Sequence, residues 1–228
     1  MKVLFVITSY ENGAWLSEIT HPYWHLTERD VEVDFASPKG GKIGWSPYSD
    51  PYGQGTTEPN DLVSKGFLSD PKLKARLETT LALSDVDAGQ YDAVHVAGGQ
   101  GATFDLYPNE DLAKLLEHFW KREKIVAAIC HGAIALGNIA ERIRERHVTG
   151  YPAAGDRELE RMFGEGFIPR YPQNVLEETG ARYREAGTDA PCVVIDGKLL
   201  TGQNQQSASE YGIVLYHLLS GHSPVASV

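Results

Sequence analysis

The sequence predicts an α/β fold in which a mostly parallel central sheet is sandwiched between two layers of helices. Three observations predict it. Short runs rich in β-branched residues alternate with amphipathic stretches along the chain. Some of these runs, such as Ile125-Val126-Ala127-Ala128-Ile129, are continuously apolar, the pattern of strands covered on both faces. The composition is that of an ordinary globular chain, with 228 residues, 42% hydrophobic and 23% charged, which suits a single domain over residues 1–228 with one sizeable core.

The elements come in order along the chain. Residues 3–8 read as the first strand. The apolar run there continues into Tyr10-Glu11-Asn12-Gly13 with no small-residue cleavage site, so a buried strand is expected rather than a leader. A helix is expected over 15–28 and a strand over 31–36. Residues 38–66 carry Gly40, Gly41, Gly44, Pro47, Pro51, Gly53, Gly55 and Pro59, too long and too rich in Gly and Pro for an ordinary connection; they read as an ordered insertion beside a site. Further on come a helical pattern at 71–84, a strand at 92–97, a helix at 110–122 and the strand at 125–129. A helix is expected from about 131, then a short strand at 147–149, a strand at 192–196 and a last helix over 207–219. The stretch 151–172, rich in charged and small residues, breaks the alternation and is placed to carry an acidic partner for a site. Gly180 and Gly197 punctuate a helix end and a turn.

Charge removes whole classes of function. Lys and Arg total 21 against 31 Asp and Glu, a formal charge of −10 that repels phosphate backbones and anionic lipid, so neither nucleic acid nor a membrane is an expected partner. The apolar runs fall far short of the roughly 20 residues of a bilayer span. Two cysteines, Cys130 and Cys192, make no disulfide framework, and a reducing cytoplasmic setting is the default. Among the eight histidines, His21 and His25 stand at i and i+4, yet Pro22 and the lack of an H-E-x-x-H pattern speak against zinc. No metal site is expected.

Chemistry concentrates at three places. In Ile129-Cys130-His131-Gly132-Ala133 a buried strand ends on a cysteine, and small residues let the chain bend sharply into the next element, as in an elbow that presents a nucleophile. Cys130 is therefore expected in an unusual backbone geometry, with a pKa lowered by a helix N-terminus. Cys192, inside a strand run, reads as a small buried hydrophobe. Val96-Ala97-Gly98-Gly99-Gln100-Gly101 comes directly after a strand, and its glycines let backbone amides approach a developing oxyanion; the pattern lacks the dinucleotide fingerprint, so NAD and FAD are not expected. Glu18 sits beside Trp15, Leu16 and Ile19. Desolvation there would raise its pKa and suit it to proton transfer, although residue statistics alone favour a solvated helix glutamate. Aromatic residues at 10, 15, 24, 45 and 151 are candidates for a pocket lining, with core packing as the commoner role.

Taken together, Ile7-Thr8-Ser9-Tyr10, Glu18 before His21-Pro22, Ile43-Gly44-Trp45, Gly99-Gln100-Gly101, Ala128-Ile129-Cys130-His131-Gly132, Val148-Thr149-Gly150-Tyr151 and the run from Asp196 to Asn204 resemble the ThiJ/PfpI superfamily over nearly the whole chain. The likeness is greatest to its glyoxalase III and heat-inducible chaperone class. It implies a flavodoxin-like three-layer sandwich with an insertion after the second strand, a homodimer, and cofactor-independent conversion of a small 2-oxoaldehyde such as methylglyoxal to a 2-hydroxy acid such as D-lactate. Carried over residue by residue, it makes Cys130 the nucleophile, His131 its partner, Glu18 the proton-exchanging acid and Asp156, rather than Glu158, the third triad member. It gives the amides of Gly99 and His131 the oxyanion, with Gln100 and Gly101 bordering the substrate. The chain departs from the class at Gln100, where relatives have His, and at Gln205-Gln206-Ser207 in place of Pro-Ala-Ser. The alternatives are a cysteine amidase or peptidase using the same nucleophile, a stress-protective holdase or deglycase, and a redox sensor.

Overall fold

In a computed structural model, which describes residues 1–221, the chain forms a seven-stranded sheet in the order β3-β2-β1-β4-β5-β9-β8. The strands are β1 (Lys2–Val6), β2 (Glu32–Ser37), β3 (Leu81–Ala82), β4 (Ala93–Val96), β5 (Ile125–Ile129), β6 (His147–Val148), β7 (Arg182–Tyr183), β8 (Val193–Asp196) and β9 (Leu199–Gly202). The helices are α1 (Ser17–Thr27), α2 (Leu62–Ser69), α3 (Pro71–Arg76), α4 (Ala102–Asp105), α5 (Glu110–Lys121), α6 (Ala140–Ile143), α7 (Ala153–Phe163), α8 (Pro172–Glu178) and α9 (Ala208–Leu219). Strands β6 and β7 form a separate two-stranded sheet. Of the eight histidines, His222 lies outside the described residues.

The strands pair in parallel except β8, which returns antiparallel on β9 through a turn at Gly197. Period-2 alternation sorts the side chains of each strand between two cores. Val3, Phe5, Ile7, Ala127 and Ile129 face α1, α2 and α9, packing with Ile19, Leu26, Phe67, Tyr211 and Leu215. Leu4, Val6, Val126 and Ala128 face the other way, against Leu112, Leu116, Phe119, Leu136 and Leu176. The expected helix-sheet-helix sandwich is thus present. Asp61 and Asn109 cap α2 and α5 by accepting from backbone amides of their first turns. No described helix is long and apolar enough to cross a membrane.

Three local expectations are corrected. The helical pattern at 71–84 ends at Arg76; Leu81 and Ala82 pair in parallel with Ala36 and Ser37 as an edge strand, because the β-branched Thr79 and Thr80 lead the chain back to the sheet. After Cys130 the chain winds as a 3₁₀ segment over Cys130–Ile139 before the single turn of α6. Its Ala133, Ala135, Leu136 and Ile139 are buried against the sheet, and tertiary packing rather than propensity sets this tighter winding. The stretch 151–172 is not a break: its first half is α7, an amphipathic helix that turns Ala153, Gly155 and Asp156 inward and ends at Gly164.

The sheet order reverses between β1 and β4. In open parallel sheets the crevice for ligands opens at the carboxyl ends of strands at such a switch point. The segments that leave β1, β4 and β5 at that end are 7–16, 97–101 and the turn at Cys130, which hold the chemistry-bearing motifs.

Candidate active site

The sharp exit from β5 puts Cys130 at φ +56°, a left-handed conformation that costs a non-glycine residue roughly 1–3 kcal/mol and is retained only where the surroundings hold it. Parallel pairing fixes the preceding residue, and the Cys130 carbonyl accepts from the Tyr151 amide at 3.2 Å. The strained strand-end turn is therefore present as expected.

The Gly-rich turn after β4 faces it. A Cβ on Gly98 would lie 2.5 Å from Glu18 Oε2 and 2.9 Å from the Cys130 Cβ, so only glycine lets this backbone run between the two. Gly99 takes φ +98° against the Gly13 carbonyl, leaving no room for a side chain. The loop after β1 is stitched to this turn by Trp15 N–H to the Gly98 carbonyl (3.1 Å) and Gly101 N–H to the Gly13 carbonyl (3.0 Å). The insertion joins the same seam, since the Ser46 amide donates to Ala14 O at 2.8 Å.

Glu18 is wholly buried, which overturns the solvated alternative. The Gly98 amide donates to its Oε2 at 2.9 Å, whereas Oε1 has no hydrogen-bond partner among neighbouring nitrogen and oxygen atoms; the thiol of Cys130 interacts with the carboxyl directly. Burial pushes the Glu18 carboxyl up to about 8. A buried histidine supports it from behind: His95 Nε2 meets the Glu18 carbonyl at 3.0 Å and Nδ1 meets the Tyr211 hydroxyl at 2.8 Å. Burial pushes His95 down to about 3, so its ring is neutral and donates to the Glu18 carbonyl through Nε2.

On the other side of the sulfur, His131 Nδ1 lies 3.4 Å from Cys130 Sγ, and Nε2 lies 2.8 Å from Asp156 Oδ1. Asp156 is 0% exposed and its Oδ2 has no partner; burial raises its pKa, while His131 works against that rise. Glu158 is exposed on the outer face of α7. The ring of Tyr151 stacks on His131 with centroids 4.3 Å apart. Cys130, His131, Asp156 and Glu18 thus converge, and the backbone amides of His131 and Gly99 hydrogen-bond the sulfur.

One electrostatic expectation is corrected. Burial pushes the Cys130 thiol well above its ordinary value, and the Glu18 carboxylate adds to the rise; the two amides only moderate it. Cys130 is 2% exposed and is succeeded by a 3₁₀ turn rather than a long α-helix, so desolvation outweighs any helix dipole. Cys130 and Glu18 titrate as a pair, and a thiolate arises only when that pair gives up one proton.

Above these groups lies a cavity of about 240 Å³. Cys130, His131 and Gln100 border it with Trp15, Tyr151, Asn12 and Gln205, and the Gln100 amide donates to Asn12 O at 3.0 Å. Of the aromatic candidates, Trp15 and Tyr151 line it; Trp45 donates to Asp50, Tyr10 stacks on Phe104 and Trp24 is exposed. Sequence reading missed Tyr48, Phe163 and Phe167, which join the lining from the insertion, the last residue of α7 and the loop after it. His21 and His25 both approach the Ser209 hydroxyl, and His21 also pairs with Asp61. Among the described residues no group of three or more His, Cys, Asp or Glu is placed to hold a metal ion. Cys192 is half-buried, away from this cavity.

The family model for the DJ-1/PfpI family matches residues 1–217. A protein named glyoxalase 3 from Candida albicans is 29% identical over 91% of this chain and 94% of its own length. The glutathione-independent glyoxalase HSP31 of Saccharomyces cerevisiae is 28% identical over 91% of this chain and 93% of that protein. The crystal structure of glyoxalase III from Candida albicans superposes with a TM-score of 0.81 at 25% identity, covering 95% of this chain and 96% of the other.

Proposed function

The chain belongs to the DJ-1/PfpI family, and we propose from that membership and from the cavity at Cys130 that it is a glutathione-independent glyoxalase, converting methylglyoxal or a related 2-oxoaldehyde to a 2-hydroxy acid without a cofactor. One observation carries the reading: a sulfur at a strained strand end, beside a carboxyl that burial has moved to about 8, with the backbone amides of Gly99 and His131 directed at that sulfur.

The steps derive from these positions. Once the pair has lost one proton, Glu18 is a carboxylate beside the Cys130 thiol, and it takes the thiol proton as the sulfur attacks. Sγ adds to the aldehyde carbon, the alkoxide forms against the Gly99 and His131 amides, and Glu18 protonates it to give a hemithioacetal. The Glu18 carboxylate so produced removes the hydrogen on that carbon, giving an enediolate. A proton passes between the two substrate oxygens, Glu18 returns its proton to the neighbouring carbon, and a thioester results. Water, oriented by the His131–Asp156 pair, releases the hydroxy acid and restores the thiol. One carbon is oxidised, its neighbour is reduced and one water is added, so no external redox partner enters. Both cysteines are free thiols, in keeping with a reducing cytoplasm.

The test is purified protein with methylglyoxal, without glutathione or added cofactor, assayed enantiospecifically for D-lactate. Formation of D-lactate is expected; none overturns the reading. Asp156→Asn keeps the volume of the side chain but removes the charge that holds His131, and kcat/KM for methylglyoxal is expected to fall by about 10²–10⁴-fold. A variant within threefold of the parent, with an unchanged melting temperature, would remove Asp156 from the mechanism.

A further inference from the structure

The cavity is larger and more apolar than methylglyoxal requires. Methylglyoxal brings three carbons and two oxygens, and the dicarbonyl is accounted for by Cys130, His131 and the Gly99 amide at the floor. What remains is walled mainly by aromatic rings, with Asn12, Gln100 and Gln205 among its polar members. Tyr48, from the insertion, and Phe163, from the end of α7, approach each other with centroids 5.7 Å apart, and Phe163 stacks on Phe167 at 4.7 Å. Tyr48 and Phe163 are 41% and 42% exposed whereas Cys130 is 2% exposed, so the ring pair stands at the solvent end of the cavity and the sulfur at its base. Trp15 closes another side, its indole N–H turned away to donate to Glu58 at 3.1 Å, which leaves its ring rather than a polar atom for the cavity.

Size agrees with this composition. An apolar cavity of about 150 Å³ takes up one benzene ring. The 240 Å³ here accommodates such a ring with a two-carbon dicarbonyl attached. A methyl group in the same space leaves most of the aromatic wall wet, and an apolar surface left in water contributes nothing to binding. Offset or edge-to-face contacts with Tyr48, Phe163 and Trp15 favour a flat substituent in particular.

Resting on the glyoxalase reading, we propose that the preferred substrates are 2-oxoaldehydes with a bulky apolar, above all aryl, substituent, and that Tyr48 and Phe163 determine this specificity. The reaction is the same in its balance: phenylglyoxal and one water give mandelate, the aldehyde carbon being oxidised and the ketone carbon reduced. The substituent lies between the insertion and α7, with the dicarbonyl at Cys130.

The experiment compares kcat/KM for phenylglyoxal and methylglyoxal by chromatographic detection of mandelate and lactate, with Cys130→Ala as the blank for uncatalysed chemistry. Phenylglyoxal is expected to be favoured by about 10–100-fold, and the double variant Tyr48→Ala/Phe163→Ala, altered only at partly exposed positions, to lose at least tenfold of that ratio, mainly through KM. Turnover of methylglyoxal with an equal or lower kcat/KM for phenylglyoxal overturns the specificity and leaves the glyoxalase reading standing. An unchanged ratio in the double variant overturns the assignment to these two residues. Turnover of neither aldehyde overturns the glyoxalase reading itself, and this inference with it.

Discussion

Cys130→Ala is expected to lower lactate formation from methylglyoxal by at least about 10⁴-fold, to background, because no other group in the cavity forms the covalent adduct on which the proton transfers depend. The fold is expected to persist. The alanine occupies the space of Cβ at a position already held at φ +56° by β5 and by the Tyr151 amide, and the lost thiol is a group whose ionisation burial opposes. Differential scanning calorimetry should place the melting temperature within about 3 °C of the parent. Retained turnover in a folded variant would reject the nucleophile. Loss of turnover through unfolding would appear in the calorimetry and is distinguished there.

Glu18→Gln separates catalysis from stability in opposite directions. The amide still accepts from the Gly98 N–H but exchanges no proton with substrate, and kcat/KM is expected to fall by about 10²–10⁴-fold. Stability moves the other way. The folded carboxyl titrates near 8 and the unfolded one near 4.5, so the folded state holds this proton more tightly. The stabilisation is complete below pH 4.5 and is lost as pH rises toward 8, on the order of 3 kcal/mol by pH 7. The glutamine variant has no such titration. Its melting temperature is expected to vary less between pH 5 and 8 and to exceed that of the parent by about 8–16 °C at pH 8, where the carboxylate costs the parent about 4 kcal/mol. The parent's kcat/KM should rise with pH through an inflection near 8, where the Cys130–Glu18 pair loses its first proton. A melting curve for the variant that parallels the parent across this range would show that Glu18 is not the buried acid described.

Much of this arrangement is legible in the order of residues. The strands β1, β2, β4 and β5 and the helices α1, α5 and α9 arise from strong local patterns, in which β-branched runs and amphipathic stretches coincide with the elements formed. The strand-end cysteine is legible for a similar reason: continuous apolar residues ending at Cys130-His131-Gly132 leave few alternatives to a tight turn at a buried strand. Its ionisation is not. Proximity to backbone amides argues for a thiolate, while the burial that opposes it depends on Glu18, Gly98 and Tyr151 closing around the sulfur from distant parts of the chain. Glu18 itself shows the same limit. Its neighbours on α1 say that it lies at an apolar margin, but its complete desolvation comes from the Gly-rich turn and the support of His95 beneath it. Helix α7 is obscured by its charge and small residues, whose inward face becomes apparent only when Asp156 meets His131. Tyr48, Phe163 and Phe167 carry no local signal at all, since their common purpose depends on two excursions of the chain meeting over one hole.

The way those excursions are hung has a consequence for how such enzymes diversify. The reacting groups are anchored to the sheet and its immediate turns, where most substitutions disturb the core. The rings that meet the variable part of a substrate belong to surface detours that the sheet does not need. Ligand range is therefore free to drift by changes in two peripheral segments while the bond-making apparatus stays fixed, and homologues with one chemistry should part company in what they admit before they part company in what they do.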